Sequence, residues 1–191
     1  AVERWKQRIL KSQRFTSKIG WNGLFLENHD QSRCVNKYLE KDQIGYAGAS
    51  AMAVMYFYLY GTPFIYQGQE IGMTNAVWNS IEEMDDVRAK GMYQEALEQK
   101  QDPQKVLEYF GELGRDNART PMQWCDEKNA GFTEGTPWLK VNENYQGINV
   151  KAQEARDDSL LAFYRRLTAL RHQEPYASVF AEGTVRPVME E

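Results

Sequence analysis

Two stretches of the chain place polar side chains where they could act on a ligand. The first is Leu24-Phe25-Leu26-Glu27-Asn28-His29-Asp30, three large apolar residues running into an acid and then a polar cluster. Such a run predicts a strand through a core that releases Asn28, His29 and Asp30 at its carboxyl end. In parallel α/β folds that end is where ligands bind. A plainer reading is that Asn and Asp cap a helix after the strand, since both are strong N-caps. The second stretch is Gly114-Arg115-Asp116-Asn117-Ala118-Arg119-Thr120-Pro121-Met122-Gln123-Trp124, with two arginines four apart around Asp-Asn. On residue types alone it could be a local salt-bridged turn.

The elements that must hold these groups are legible from periodicity and breakers. After the strand Leu24–Glu27 and a polar loop, Gln31–Asp42, the uncharged run Ile44–Tyr60 predicts a helix packed closely against a sheet. Gly61-Thr62-Pro63 breaks it, and Phe64-Ile65-Tyr66 is a second short strand. The connection is long enough for a parallel crossover, which makes the class α/β. Two strands cannot stand alone as a sheet in water. Upstream, Val2–Thr16 has the pattern of an amphipathic helix with Trp5, Ile9 and Leu10 on one face. Downstream, Ile81–Gln99 and Pro103–Glu112 read as charged surface helices, and 114–150 as irregular. Asp157–His172 predicts a helix whose start is favoured by Asp157 and Asp158 and whose apolar face is Leu160, Leu161, Tyr164, Leu167 and Leu170. Pro175 closes it, and Tyr176–Glu191 carries strand-like residues.

Composition narrows the partners. The 191 residues carry a net charge of −4 at 42% hydrophobic and 26% charged content, ordinary for a soluble globular chain. No basic run or patch is present to meet nucleic acid or an anionic membrane. Ile44–Tyr60 lies at the lower limit of about 17 residues for a spanning helix and contains Tyr46, Ser50, Tyr56 and Tyr58, so no membrane span is expected. Cys34 and Cys125 are far apart with no CxxC and no adjacent His, which argues against a metal site. Two free thiols in a reducing, cytoplasmic compartment is the simplest reading, with a single disulfide left open. The chain opens on Ala1-Val2-Glu3-Arg4-Trp5 without a signal-peptide pattern or an initiating Met, and is expected to be a piece of something longer.

With these residues in hand, LFLENHDQSR at 24–33 resembles the last catalytic motif of the α-amylase superfamily (glycoside hydrolase family 13). The segment Gly61–Asn75, reading GTPFIYQGQEIGMTN, is similar to that around the superfamily's last barrel strand, where glycines let the backbone turn sharply. GRDNARTPMQW at 114–124 is very similar to a signature of the oligo-1,6-glucosidase branch. The resemblance continues through Ala130–Thr133, Thr136–Leu139, Val141–Tyr145 and the Asp157–His172 helix, and so covers about residues 1–175.

The resemblance implies a fold: the C-terminal part of a TIM (β/α)8 barrel, namely its last two strand–helix units, over residues 1–175. It further implies an irregular and helical insertion at 75–150, and the start of a C-terminal β-domain at 176–191. It implies roles as well. Asp30 matches the carboxylate that assists the chemistry without being nucleophile or acid, and His29 a hydroxyl donor to the sugar. Arg119 matches an arginine that binds sugar hydroxyls, a task suited to planar guanidinium donors; Arg115 is read as structural. Retaining hydrolysis also needs a nucleophile and an acid about 5–5.5 Å apart. Both come from earlier barrel strands in that family, and no counterpart is found here; Glu27 and Glu70 do not sit in a matching context. The expectation is a fragment of a retaining α-glucosidase acting on short oligosaccharides, with no cofactor or metal, inactive by itself and able to self-associate through exposed barrel strands. Alternatives are a sucrose isomerase or transglycosylase of the same family, or a non-catalytic α-glucosidase-like scaffold. Where many relatives of the branch have acidic-Ile-Glu-Ser, this chain reads Asp86-Val87-Arg88-Ala89, a cation for an anion.

Overall fold

Two short strands run parallel with a helical crossover between them: β1 (Gly23–Leu24) pairs with β2 (Thr62–Pro63), Gly23 opposite Thr62 and Leu24 opposite Pro63. Thr62 N donates to Asn22 O at 2.8 Å and Phe64 N to Leu24 O at 2.7 Å. A computed structural model describes residues 2–186, apart from the side chains of Val2 and Trp5. Trp5's expected place on an apolar face, and the segment Met189-Glu190-Glu191, lie outside the described residues. The ladder starts and ends earlier than the apolar runs Leu24–Glu27 and Phe64–Tyr66. Among the described residues each strand has one neighbour, and Pro63 offers no N–H to a ladder.

The first helix, α1 (Val2–Ile19), precedes β1 and extends three residues past the expected Thr16. Its buried Gln13 is tied to the far side of the crossover: Nε2 donates to Tyr60 O (3.1 Å) and Oε1 accepts from Tyr60 N (2.7 Å). Between the strands lie α2 (Cys34–Tyr38) and α3 (Tyr46–Phe57). Gly48 lets the first turn of α3 lie against the chain that leads into it, because a Cβ there would meet Gln43 O at 2.2 Å and Leu39 Cδ1 at 2.6 Å. After the strands come α4 (Val87–Glu98), α5 (Pro103–Leu113), the single turn α6 (Asp116–Arg119), α7 (Val150–Glu154), α8 (Leu160–His172) and α9 (Tyr176–Glu182).

Three apolar clusters hold these pieces. The largest joins Leu24 and Leu26 to Ala49, Met52, Ala53, Tyr56 and Phe57 of α3 and to Leu160, Tyr164 and Leu167 of α8. A second lies within the 75–150 region, where Trp78, Ile81 and Met84 pack on Leu107 and Phe110 of α5. Ile71, Met73 and Met122 form the third, between the β2 loop and the stretch after α6. Among the described residues no helix is long and apolar enough to cross a membrane.

Two expectations need correction. Tyr176–Glu182 is helix, not strand: Ala177 N bonds Gln173 O, Phe180 stacks on Tyr58 with centroids 5.3 Å apart, and Arg171 Cζ lies 4.9 Å from the Phe180 ring. The segment is captured by helix packing instead of a sheet. Asp157 and Asp158 do not start α8 either. Its N-cap is Ser159, whose Oγ accepts from Ala162 N at 3.1 Å, while Asp158 pairs with Arg156. Ser159→Ala is therefore expected to cost about 1 kcal/mol in urea unfolding, and Asp157→Ala to leave the midpoint unchanged.

Candidate functional site

The loop that leaves β1 is stapled at its base by a buried ion pair. Arg33 Nη1 donates to Glu27 Oε2 at 3.1 Å, with side-chain exposures of 0% and 1%. Glu27 Oε1 accepts from Cys34 N at 2.9 Å, so both carboxylate oxygens are used. Arg33 also donates from Nη1 to Gln67 O (2.7 Å) and from Nε to Asn117 O (3.2 Å), and its own amide donates to Asn75 Oδ1 (3.0 Å). One guanidinium thus joins the β1 loop, the β2 loop and α6. The turn after β2 leaves room for it through Gly68, at φ +87°, where a Cβ would lie 3.2 Å from Arg33 Nη1 and 2.3 Å from Met73 Sδ.

Above that base the five residues 28–32 present the predicted polar cluster. Asn28 does not cap a helix: its Oδ1 accepts from Asp30 N (2.9 Å) and its carbonyl from Gln31 N (3.3 Å), closing a turn that points Asp30 outward. Helix α2 begins later and has Arg33 at its N-cap with no side-chain cap bond. The capping reading of Asn-His-Asp is therefore set aside. The Asp30 side chain is 57% exposed and His29 71%, with His29 Nε2 3.3 Å from Asp30 Oδ2.

The two arginines of 114–124 converge on this turn. Arg119 Nη2 donates to Asp30 Oδ1 at 2.9 Å and Arg119 Nε to His29 O at 2.8 Å. Arg115 stands between two carboxylates, with Nη2 donating to Asp86 Oδ1 at 2.9 Å and Nη1 3.7 Å from Asp30 Oδ1. These are long-range pairs, so the local salt-bridged turn does not form. Asp116 instead turns back on the insertion, its Oδ2 accepting from Asp85 N (2.7 Å) and Asp86 N (2.9 Å). Asn117 is fully buried; its Oδ1 accepts from Trp78 Nε1 (2.8 Å) and its Nδ2 donates to Gly111 O and Gly114 O (both 3.0 Å).

Structure thus brings all three predicted site residues, His29, Asp30 and Arg119, into contact. The supporting residues Glu27, Arg33 and Asn117 were given no role by sequence. An acid ending an apolar strand six residues before an arginine is the one local signal that was there to be used. The other carboxylate remarked on, Glu70, sits half-buried past the β2 turn, where burial pushes its carboxyl up and Oε2 has no partner among the described residues. Burial and the facing Glu27 carboxylate push the Cys34 thiol far up, which disfavours the reactive thiolate. Cys34 and Cys125 are both free. Among the described residues no group of three or more His, Cys, Asp or Glu is placed to hold a metal ion.

Chemically, an exposed acceptor pair on Asp30 beside guanidinium and imidazole donors is a set suited to adjacent hydroxyl groups. Removing the buried carboxylate with Glu27→Leu leaves Arg33 uncompensated and is expected to cost about 3–5 kcal/mol by urea unfolding. The exposed pair partner Asp158 should be replaceable by Ala without a shift of the midpoint.

Against known proteins, the alpha amylase catalytic-domain family matches residues 1–179. An oligo-1,6-glucosidase of Parageobacillus thermoglucosidasius is 43% identical over 187 residues, which is 97% of this chain and 33% of that protein. A solved structure of a Bacillus licheniformis trehalose-6-phosphate hydrolase mutant in complex with PNG superposes with TM-score 0.90 at 36% identity, covering 100% of this chain and 34% of the other. A structure of a MutB mutant with its substrate sucrose superposes with TM-score 0.82 at 41% identity, over 89% of this chain and 31% of the other. The chain spans about a third of the length of the relatives it matches.

Proposed function

This chain belongs to the alpha amylase family, of whose catalytic domain it is a part, and from that premise we propose that the whole protein is a retaining α-glucosidase of the oligo-1,6-glucosidase type, hydrolysing terminal α-glucosidic bonds of short oligosaccharides. The chain contributes the last two strand–helix units of its barrel, carrying the 75–150 insertion, and we place the start of any following β-domain beyond Glu182. The observation that carries the reading is the convergence of Asp30, His29 and Arg119, from segments 89 residues apart, on one exposed turn.

In this reading Asp30 accepts from a sugar hydroxyl next to the anomeric carbon, and His29 donates to one. Such bonds strengthen as positive charge develops on the sugar ring, which lowers the barrier without proton transfer. Arg119 spends Nε and Nη2 on His29 O and Asp30, holding the acceptor oxygen in place, and has Nη1 left to donate to the sugar. Nucleophile and acid belong to parts of the barrel outside this chain, so the 191 residues alone are expected to be inactive. No cofactor is required for this chemistry. The free cysteines fit a reducing compartment, and we assign the protein to the cytoplasm.

A second reading, sucrose isomerase or transglycosylase, is supported by the MutB structure with bound sucrose. Arg88, exposed in the first turn of α4 where the branch commonly has an anion, lies two residues from Asp86, the partner of Arg115, and donates its amide to it. The scaffold reading is weakened by the intact Asp30–Arg119 pair. In the whole protein, Asp30→Asn should abolish turnover of p-nitrophenyl α-glucoside and isomaltose with an unchanged melting temperature; retained turnover would sink the assignment. Chromatography of sucrose digests separates the readings, glucose and fructose meaning hydrolysis and a new disaccharide meaning isomerisation.

The ends of the two strands expose an apolar face, with Phe25, just past β1, at 51% and Phe64, just past β2, at 58%. Earlier barrel strands would cover it in the whole protein; in the isolated chain it is expected to drive self-association. Sedimentation velocity showing a strictly monomeric, cooperatively folded species would refute that.

A further inference from the structure

We propose that Arg33 and Tyr66 are positioning residues, which hold α6 so that Arg119 meets Asp30; the inference rests on the roles of Asp30 and Arg119 given above. Helix α6 is four residues long, a single turn that cannot hold itself. Its last carbonyls have no partner inside the helix. Two of them are met from below by donors on different strand-end loops: Asn117 O accepts from Arg33 Nε at 3.2 Å and Ala118 O from the Tyr66 hydroxyl at 3.0 Å. The next residue is Arg119, whose guanidinium clamps His29 O and Asp30.

Both donors are themselves fixed. Arg33 is wholly buried against Glu27 and Gln67 O, and its Cζ lies 5.6 Å from the centre of the Tyr66 ring. Burial pushes the Tyr66 phenol up from its ordinary value, which favours the protonated, donating form. The two side chains therefore form a floor between the β1 and β2 loops that takes two main-chain carbonyls of α6, while the Asp116 and Asn117 side chains tie the same turn to the insertion. Moving the floor would move Arg119 relative to Asp30, and a 1 Å misplacement can cost about a hundredfold in rate.

The test uses the whole protein. Tyr66→Phe keeps the ring under Arg33 and removes one donor. It is expected to lower kcat about tenfold with KM within about twofold and the melting temperature unchanged. In an Arg119→Lys background, where the bidentate clamp is already lost, the same change should do nothing more. Arg33→Lys keeps the charge facing Glu27 but loses the Nε donor, and should show the same split between kcat and KM. An unchanged kcat in Tyr66→Phe, or the same loss in both backgrounds, would overturn the proposal. Should the unmodified protein turn over no α-glucoside, the glycosidase reading falls by itself. The 15N resonance of Arg119 Nε–H then decides: a shift on Tyr66→Phe supports positioning, and an unmoved signal refutes it.

Discussion

The Glu27–Arg33 ion pair is the interaction on which the remainder of the site depends. Neither group touches water, and a pair this deep is favourable only when the remaining donors and acceptors are satisfied. Here they are: Glu27 takes the Cys34 amide, and Arg33 takes main-chain carbonyls from two other segments. The same requirement that makes the pair tolerable therefore forces three chain segments together. A hydrophobic replacement of the pair could match its packing but would have nothing with which to specify where those carbonyls lie.

Two kinds of interaction divide the labour in the chain. Apolar packing of α3 and α8 on Leu24 and Leu26 makes a platform for the strand ends. Polar contacts, almost all long-range, then build the site on top: Arg33 to Asn117, Tyr66 to Ala118, Arg119 to Asp30. The exposed pair Asp30–Arg119 contributes little stability on its own. Its value lies in geometry, an anionic acceptor held open to a ligand by Arg119 and flanked by Arg115, which is anchored on Asp86.

Much of this was legible in the sequence because it is periodic or local. The α3 and α8 apolar faces, the parallel crossover and the polar residues released after β1 all follow from residue spacing. Arg119 was legible because it lies in a distinctive string. What failed failed for physical reasons. The Ser159 cap lost to two acids one and two residues earlier, since composition near a helix start cannot say which oxygen reaches the orphan amides. Tyr176–Glu182 has strand-like residues but meets Tyr58 and Arg171, and tertiary contact overrode propensity. The partners of Glu27, Arg33 and Asn117 are set by contacts spanning up to 84 residues, which no local window contains.

Arg33 also grips both ends of the 75–117 part of the insertion. Its amide donates to Asn75, its Nε to Asn117 O, and Asn117 Oδ1 accepts from Ala76 N, so residues 75–76 and 117 are pinned together. Everything between them leaves and returns at one fixed point. Lengthening such an excursion costs only about 0.6 kcal/mol of loop-closure entropy per doubling. The knot thus fixes where the excursion carrying α4 and α5 departs and rejoins, and the excursion reaches back to the site through Asp86, which caps α4 and accepts from Arg115.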